Sequence, residues 1–376
     1  MYDAKDMVVE TLFEKLKHKD IICWGNGKHF RNLTYPFLCN SGLLSNLKGF
    51  LDVGGGGSLD FGGIHYGKIT KRELADRIRK KGAGQFLILV CVTGYPEVMN
   101  QIRRDEELSL VEAIPSIYLE GLYEDLCMLS APKPPLSYRK NPVPVIPKVI
   151  HTFWFGDNEM PPVYRQCLSS WEKYAPDLEI RIWNQKTYHP GNCLFYEQAV
   201  QRKNWAFASD YARADVLRRY GGIYMDLDVE MLRPIDDLLY NDAYMSFESL
   251  NRIECGSGMG AKKGNRILEE ICKSYEERPF IKEDGTEDLS TCPVRYTNVI
   301  QQHGLVKNGG FQQVEDITVY PFEVLTGKSF DTGITYRTEQ SYTVHHHNGS
   351  WVPPTAKQAL LQRYEEIHNF ISCSYY

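Results

Sequence analysis

Hydrophobic and polar positions follow two periods along this chain, and these periods predict an alternation of helices and strands. In the first 130 residues, VVETLFEKLKHK, KITKRELADRIRKKG and YPEVMNQIRRDEE carry apolar residues at helical spacing, whereas IICWGNG and FLILVCVTG are short apolar runs. Such runs predict buried strands, and strands that alternate with helices predict parallel βαβ units. The first part of the chain is therefore expected to be a small α/β domain.

A second set of elements follows a proline-rich stretch at 131–148, APKPPLSYRKNPVPVIPK, which contains six prolines and predicts an extended linker. Beyond it, PKVIHTFWFG and LEIRIWN predict strands. WAFASDYARADVLRRYGG predicts a helix with Ser209 as its N-cap and Gly221 just past its end, and IYMDLDVEML predicts a strand. We therefore expect an α/β domain at 1–130, a linker at 131–147 and a second α/β domain at 148–376.

Composition and charge narrow the classes of function. The chain has 376 residues, which is long enough for two domains. Its formal net charge is −5, so it has no overall positive charge that would attract nucleic acid. Ten cysteines without a CxxC pair argue against a zinc ribbon or a disulfide framework and favour a cytoplasmic protein. There is no signal-peptide pattern, and the longest apolar run, FLILVCV, is too short to cross a bilayer. We expect a cytoplasmic protein that contacts the inner face of the membrane peripherally or not at all.

The motif GNGKHFR follows the first predicted strand and contains part of a dinucleotide-binding fingerprint, with Phe30 in place of the third glycine. Because those glycines let the backbone approach a pyrophosphate, two interpretations stay open: a nucleotide site, or the favoured one, a turn that only serves the scaffold. The segment is similar to the small Rossmann-like domains fused to bacterial sugar-modifying enzymes, a resemblance that assigns no role.

The most informative motif is YGGIYMDLDVE at 220–230, in which Asp226 and Asp228 lie two residues apart. In an extended strand, both carboxylates would leave the same face, where they repel each other unless a cation lies nearby. Oxygen ligands of this kind favour Mg²⁺ or Mn²⁺. The alternative is a solvated strand end.

Two further groups of residues fit such a site. Asp210 and Arg213, three residues apart on the preceding helix, could form an exposed ion pair or could bind a sugar hydroxyl and a phosphate. HHHNGSW at 345–351 contains three histidines, and a neutral imidazole can complete a metal site begun by carboxylates. A histidine run can also be an exposed loop.

Four segments together resemble the DxD-motif sugar-binding glycosyltransferases of the family 32 type: IPKVIHTFWFG, WEKYAPDLEIRIWN, WAFASDYARADVLRRYGGIYMDLDVEMLRPID and VHHHNGSW. Relatives in that group include yeast mannosyltransferases, bacterial capsule-building enzymes and the catalytic domains of clostridial glucosylating toxins. The resemblance covers roughly residues 146–352. It implies a GT-A fold, a Rossmann-like nucleotide-diphospho-sugar transferase domain whose nucleotide-binding and acceptor halves share one continuous sheet.

The resemblance also implies a donor-binding site. Trp154 matches the aromatic residue that stacks on the donor base, and Tyr224 matches a tyrosine of the nucleotide pocket. Asp210 matches the residue that contacts the donor sugar, and Arg213 its phosphate or sugar partner.

The metal and its surroundings are implied in the same way. Asp228 should ligate the cation directly, and Asp226 should reach the ribose or metal-bound water. His345 aligns with the histidine of the HxxxxSW motif near the end of the family's sequences. This alignment leaves His346 and His347 as less certain ligands. Ser350 and Trp351 align with a loop that closes on the diphosphate. With Arg213, the two aspartates are expected to be catalytic.

The implied reaction is a metal-dependent transfer of a sugar, with retention of configuration, from a nucleotide-sugar to a glycan or lipid-linked glycan. UDP is the preferred nucleotide and GDP the alternative, and synthesis of a capsular or other surface polysaccharide is the natural context. A toxin-like protein glycosyltransferase and a non-catalytic nucleotide-sugar-binding protein stay open as alternatives. The segments ECGSGMGAKKGN at 254–265 and TCPVRYT at 291–297 depart from the family pattern, and both are expected to face the acceptor.

Overall fold

The computed structural model describes residues 4–51, 59–136, 138–155, 159–349 and 352–373. These residues form two compact units, a first unit of Ala4–Leu126 together with 360–373, and a second unit of Cys127–Ala359. The sequence placed 360–373 with the second domain, whereas their contacts group them with the first unit. Among the described residues, no helix is long and apolar enough to cross a membrane.

The first unit is built on a parallel sheet. Its elements in chain order are α1 (Ala4–Leu16), β1 (Asp20–Trp24), α2 (Tyr35–Asn40), β2 (Leu47–Leu51), β3 (Leu59–Phe61), β4 (Ile64–Tyr66), β5 (Lys68–Ile69), α3 (Lys71–Lys81), β6 (Phe86–Val90), α4 (Tyr95–Arg104), β7 (Glu112–Pro115) and α5 (Ser116–Leu129). The five strands of the sheet lie in the order β5-β2-β1-β6-β7, and each neighbouring pair is parallel. This is the strand order of the Rossmann fold, so the predicted small Rossmann-like α/β domain is confirmed.

The glycine motif after β1 leads into a buried aromatic cluster. Phe30, at the position of the missing third glycine, is fully buried, and its ring packs edge-on against Phe50 at 4.8 Å between centroids. Gly25 has a φ of +103°, and a Cβ there would lie 2.6 Å from Val92 Cγ1. The backbone of β1 and of the loop after β6 therefore approach each other closely at this point.

The second unit contains a mixed sheet. Its elements are β8 (Val149–Phe153), α6 (Pro162–Tyr174), β9 (Glu179–Trp183), α7 (Leu194–Gln201), α8 (Trp205–Tyr220), β10 (Gly222–Tyr224), β11 (Val229–Met231), β12 (Ala243–Ser249), β13 (Arg252–Glu254), β14 (Met259–Ala261), α9 (Arg266–Glu276), α10 (Cys292–Gln302), β15 (Gln312–Val314), β16 (Ile317–Tyr320), α11 (Phe322–Leu325), β17 (Thr343–His345) and the start of α12 (Pro354–Cys373). Seven strands follow the order β15-β16-β12-β14-β10-β8-β9, β13 pairs with β12 as the eighth, and β11 pairs with β17.

One continuous sheet thus runs through the second unit, as the GT-A prediction requires. Strands β10, β8 and β9 are parallel, and β14 is antiparallel to both β10 and β12. Alternate residues enter different cores: Tyr224 and Met245 join one buried cluster, and Ile223 and Tyr244 join another. Because side chains alternate across a strand, the two clusters lie on opposite faces of the sheet.

Helix α8 carries the chain into β10, and its last turn is fixed by a glycine. Gly221 has a φ of +68°, and its N–H donates to Leu217 O at 2.8 Å, so the predicted helix end is confirmed. The predicted N-cap is wrong, because the helix begins at Trp205 after Asn204. Ser209 lies within the helix, where its hydroxyl donates to Ala206 O at 2.7 Å.

Candidate functional site

The two aspartates of the DLD motif lie in a turn. The prediction of one strand through both is wrong, because β10 ends at Tyr224 and β11 begins at Val229. Asp226 N–H donates to Gly256 O at 2.8 Å, and Asp226 O accepts from Val229 N–H at 3.1 Å. The turn follows the carboxyl end of β10, which is parallel to β8. In open α/β sheets, this is the edge at which ligands bind.

Pairing of β11 with β17 places a histidine beside this turn. His345 lies opposite Val229 in the antiparallel register. Its Nε2 is 3.2 Å from Asp228 Oδ1 and 3.9 Å from Asp226 Oδ2. In the described part of the chain, Asp226, Asp228 and His345 are the group whose ligand atoms all lie within 4.8 Å of one another and could hold a metal ion. The structure therefore brings together the three residues predicted as metal ligands.

A buried ion pair from α8 meets the same turn. Arg213 Nη2 lies 3.3 Å from Asp210 Oδ1, and Arg213 Nη1 lies 3.5 Å from Asp226 Oδ2. The side chains of Arg213 and Asp210 are only 7% and 10% exposed, so they do not form the exposed ion pair considered from the sequence. Tyr224 O–H donates to Asp226 Oδ1 at 2.5 Å, and the Arg213 guanidinium lies 4.9 Å from the centre of the Tyr224 ring.

The site is strongly polarised. Burial raises the pKa of Asp210 to about 6, although Arg213 opposes this effect. Burial would also raise the pKa of Asp228, but His345 and the N–H of Asn348 lower it well below its usual value. For His345, burial lowers the pKa, and Asp228 and Glu254 outweigh burial and raise it well above the usual range. Asp228 and Glu254 thus both stabilise positive charge on the His345 side of the site.

The neighbouring histidines point elsewhere. His346 Nε2 lies 3.1 Å from Glu230 Oε2, and His347 Nε2–H donates to Lys328 O at 2.9 Å. Burial and, secondarily, the charge of His345 lower the pKa of His347 to about 3. Of the three histidines, His345 is the one that faces both aspartates.

Three contacts of this site involve residues that were not predicted to belong to it. Glu254 Oε1 accepts from His345 Nδ1–H at 3.0 Å, and its Oε2 accepts from Gly256 N–H at 2.7 Å. Asn348 N–H donates to Asp228 Oδ2 at 2.7 Å. Glu254 belongs to the segment ECGSGMGAKKGN, which is expected from the sequence to face the acceptor, and Asn348 belongs to the histidine motif HHHNGSW.

Trp154, Ser350 and Trp351 are the other residues that were predicted to bind the donor. Trp154 directly follows β8, its N–H donates to Trp183 O at 2.8 Å, and its half-buried ring lies 5.6 Å from that of Tyr164. Ser350 and Trp351 lie outside the described residues. Stacking of Trp154 on a base and closure by Ser350 and Trp351 stay predictions.

The segment at 291–297, expected to face the acceptor, packs behind the site. Tyr296 O–H donates to Asp210 O at 2.9 Å, and Thr297 Oγ1 accepts from Ile253 N–H at 2.8 Å. Cys292 and Arg295 are buried as well. Tyr296 therefore contacts the backbone of a predicted site residue, and Thr297 contacts the strand that leads to Glu254.

The residues present fit a divalent cation. The donor set consists of two carboxylates and one imidazole, and the second nitrogen of that imidazole is bonded to a carboxylate, as is common for metal-binding histidines. Four carboxylates, those of Asp210, Asp226, Asp228 and Glu254, lie around the guanidinium of Arg213 and the imidazole of His345. Such an excess of negative charge favours a cation.

Comparison with known proteins agrees with the predicted resemblance. Residues 161–245 match the family described as "Glycosyltransferase sugar-binding region containing DXD motif". This segment runs from the start of α6 through α8 and the DLD turn into β12, so the predicted resemblance to DxD-motif glycosyltransferases is confirmed.

Similar proteins include two named transferases of fission yeast and one bacterial protein. Inositol phosphoceramide mannosyltransferase 3 of Schizosaccharomyces pombe is 30% identical over 140 residues, which is 36% of this chain and 38% of that protein. Inositol phosphoceramide mannosyltransferase 1 of the same yeast is 29% identical over 101 residues, which is 25% of this chain and 31% of that protein. Subversion of eukaryotic traffic protein A of Legionella pneumophila is 26% identical over 175 residues, which is 38% of this chain and 27% of that protein. The chain thus spans well under half the length of each relative.

Two solved structures are also similar. The PaToxG glycosyltransferase has a TM-score of 0.33 and 17% identity, over 43% of this chain and 72% of that one. A glycosyltransferase involved in glycosylation of the major capsid of PBCV-1 has a TM-score of 0.31 and 10% identity, over 58% of this chain and 98% of that one.

Proposed function

We propose that this protein is a metal-dependent glycosyltransferase that moves a sugar from a nucleotide-sugar to a hydroxyl acceptor. The observation that carries the proposal is the convergence of Asp226, Asp228 and His345 within 4.8 Å at the carboxyl end of a strand. The DXD sugar-binding region to which the aspartates belong supports the same function.

The proposed cation is Mn²⁺ or Mg²⁺, held by Asp228, His345 and Asp226. When bound, it would supply positive charge to the diphosphate that leaves with the nucleotide. Arg213 holds Asp226 and Asp210 in place through its guanidinium, which lies between the two carboxylates. Asp210, a buried carboxylate paired with Arg213, is suited to accept a hydrogen bond from a donor-sugar hydroxyl.

We place the donor between this centre and Trp154. The aromatic ring is suited to stack on the base, which would add binding energy more than rate. A UDP-hexose is the preferred donor and a GDP-sugar is the alternative. Since two relatives are named mannosyltransferases, mannose is one of the sugars to be tested.

The reaction is proposed to retain the configuration of the anomeric carbon. The acceptor hydroxyl would attack the face that the diphosphate leaves, and its proton would pass to the departing phosphate oxygen. This route requires no protein nucleophile, unlike the pair of carboxylates in most retaining glycosidases.

The proposed acceptor is a glycan or lipid-linked glycan made in the cytoplasm, at or near the inner face of the membrane, for a capsular or other surface polysaccharide. A protein acceptor, as in a toxin-like protein glycosyltransferase, is the second candidate. Incubation with a labelled donor, lipid-linked glycans and cytosolic proteins would distinguish the two by the product that carries label.

The test of the donor site is calorimetric titration of UDP, GDP and their hexose conjugates into the protein, with and without Mn²⁺. We expect a nucleotide-sugar to bind only with the metal, and Asp228→Asn to abolish that binding. Asp177→Asn, on an aspartate that is 54% exposed and paired with Lys148, serves as control. Donor binding that is independent of metal, or unchanged in Asp228→Asn, would overturn the proposal.

A further inference from the structure

Glu254 is placed so that it can act on the metal centre through His345. Its carboxylate is buried, with 5% of the residue exposed. Oε2 is anchored by the backbone N–H groups of Gly256 at 2.7 Å and Ser257 at 2.5 Å, and Oε1 accepts from His345 Nδ1–H at 3.0 Å. One oxygen is thus fixed to the backbone while the other holds the imidazole.

This arrangement determines which nitrogen of His345 faces the aspartates. Because Nδ1 donates to Glu254, the lone pair available to a cation is on Nε2. That atom lies 3.2 Å from Asp228 Oδ1 and 3.9 Å from Asp226 Oδ2. A carboxylate on the far nitrogen also raises the basicity of the ligating one.

The same loop connects Glu254 to the aspartates by a second route. The Gly256 N–H binds Glu254, and Gly256 O accepts from Asp226 N–H at 2.8 Å. The strand end of β13 therefore positions both a carboxylate ligand and the imidazole ligand. Because a buried charge is costly unless it is bonded, these contacts also allow the carboxylate of Glu254 to stay ionised inside the unit.

We propose that Glu254 is a positioning residue of the cation site, which sets the tautomer, orientation and donor strength of His345. The proposal rests on the proposed function, because it presupposes a divalent cation between Asp226, Asp228 and His345. Glu254 itself lies on the far side of the imidazole and is not a ligand.

The chain offers a matched control for this role. Glu230 contacts the next histidine, with Oε2 at 3.1 Å from His346 Nε2, and His346 was not among the residues that face the aspartates. Glu254→Gln and Glu230→Gln each remove one charge from a Glu–His pair while they keep a side chain of the same size, although the Glu230 pair is about one third exposed and Glu230 also contacts Arg337.

The experiment is calorimetric titration of MnCl₂ alone into the metal-free full chain. We expect Glu254→Gln to weaken Mn²⁺ binding roughly 10- to 100-fold, the range for loss of outer-shell partners. Glu230→Gln should bind as wild type does. Electron spin resonance of bound Mn²⁺ should show the nitrogen coupling of His345 in wild type and Glu230→Gln, and a reduced coupling in Glu254→Gln.

A double-mutant cycle tests whether Glu254 acts through His345. In the His345→Ala background, we expect Glu254→Gln to cause a clearly smaller loss of Mn²⁺ affinity than in wild type, because only the route through Gly256 is left. Equal losses in both backgrounds would overturn the proposal, since Glu254 would then act on the ion independently. Wild-type Mn²⁺ affinity in folded Glu254→Gln would also overturn it.

Folding and the proposed function are controlled separately. Should Glu254→Gln not fold, Glu254→Asp is titrated instead; it keeps the charge on a shorter side chain, and weakened Mn²⁺ binding supports the proposal while unchanged binding overturns it. If Asp228→Asn and His345→Ala both bind Mn²⁺ as wild type does, the cation site itself is wrong. That result refutes the proposed function as well, whereas loss in these two variants with no effect of Glu254→Gln refutes only the positioning role.

Discussion

At the scale of single residues, the site depends on one glycine as much as on its charged groups. A Cβ added to Gly256 would lie 2.0 Å from Asp226 Oδ2 and 2.8 Å from Asp226 Cγ. No pair of atoms tolerates such a separation, so a methyl group must displace the carboxylate or the loop. The close approach explains why a small residue follows Glu254 and Cys255 in this loop.

We therefore expect Gly256→Ala to weaken Mn²⁺ binding roughly tenfold or more, by analogy with the loss of other groups that hold a metal ligand in place. Calorimetric titration of MnCl₂ measures the effect. Gly191→Ala is the control, because a Cβ there meets no atom within 4 Å. Wild-type affinity in Gly256→Ala would show that Asp226 is not held where the structure places it.

Arg213 is a second residue whose substitution should have a large effect, in this case on the free energy of unfolding. Its side chain is 7% exposed and lies between the carboxylates of Asp210 and Asp226. Arg213→Met leaves both without their cation, and we expect the free energy of unfolding to fall by about 3–5 kcal/mol, as for other broken buried pairs. Urea denaturation measures the change.

A surface pair provides the comparison for that prediction. Arg139 is 51% exposed and lies 2.6 Å from Asp237, so Arg139→Met should cost only about 0–1 kcal/mol. Equal costs for Arg139→Met and Arg213→Met would contradict the view that burial gives the Arg213 pair its importance. The double variant Asp210→Asn with Arg213→Met should recover part of the loss, because it removes one of the two orphaned carboxylates.

At the scale of elements, a histidine links a helix end to a second helix and a hairpin. His303 follows α10, and its Nε2 and Nδ1 each lie 2.7 Å from a carboxylate, that of Glu270 in α9 and that of Glu315 between β15 and β16. The hydrogen bonds with Glu315 and Glu270 raise the pKa of His303 above its usual value. The protonated form is thus favoured by folding.

The stabilisation that His303 provides should decrease as pH rises. Since the pKa is higher in the folded than in the unfolded state, the stabilisation is complete below the unfolded pKa of about 6.5 and is lost as pH rises through the folded pKa. We expect the stability difference between wild type and His303→Gln to be larger at mildly acidic than at alkaline pH in urea denaturation. His65→Gln is the control, because His65 and Asp60 are 63% and 82% exposed. A difference for His303→Gln that is independent of pH would refute the assignment.

Elements with a clear hydrophobic period were predictable from the sequence. Elements whose ends depend on hydrogen-bond partners distant in the sequence were not. The apolar runs of β1 and β6 and the spacing in α3, α4 and α8 identified these elements because each satisfies its own backbone or buries one face. The DLD segment reads as a strand, yet β10 stops at Tyr224, where its last antiparallel partner is Met259. The turn there is closed by the hydrogen bond from Val229 N–H to Asp226 O and is held by the Gly256 carbonyl, which accepts from Asp226 N–H.

The residues of the candidate metal site were also predictable only in part. The three residues that the structure brings together as candidate metal ligands could be named from motifs, since each belongs to a short segment of distinctive composition. Glu254 could not be assigned, because its contact with His345 spans 91 positions and depends on the hairpin of β12 and β13. A single sequence contains no periodicity that reports such a long-range pair.

At the scale of the whole molecule, the chain contains two sheets at whose carboxyl edges a nucleotide could bind. The first unit has the strand order of the Rossmann fold, and the loop after β1 holds Gly25 at a φ of +103°. The second unit has the acidic centre. Since fold alone does not imply function, the proposal assigns the nucleotide to the unit in which groups for a diphosphate and its cation converge.

Hydrogen exchange of the full chain tests that assignment. With saturating UDP and Mn²⁺, we expect slower exchange of the backbone amides at 226–229, 254–257 and 343–348, because ligand binding suppresses local opening around its site. Peptides that cover 21–30 and 86–95 in the first unit should exchange as in the free protein. The protection should vanish in Asp228→Asn, which keeps the size of the side chain and removes its charge. Protection confined to 21–30 would instead place the nucleotide on the Rossmann-like unit, and the acidic centre of the second unit would then need another ligand.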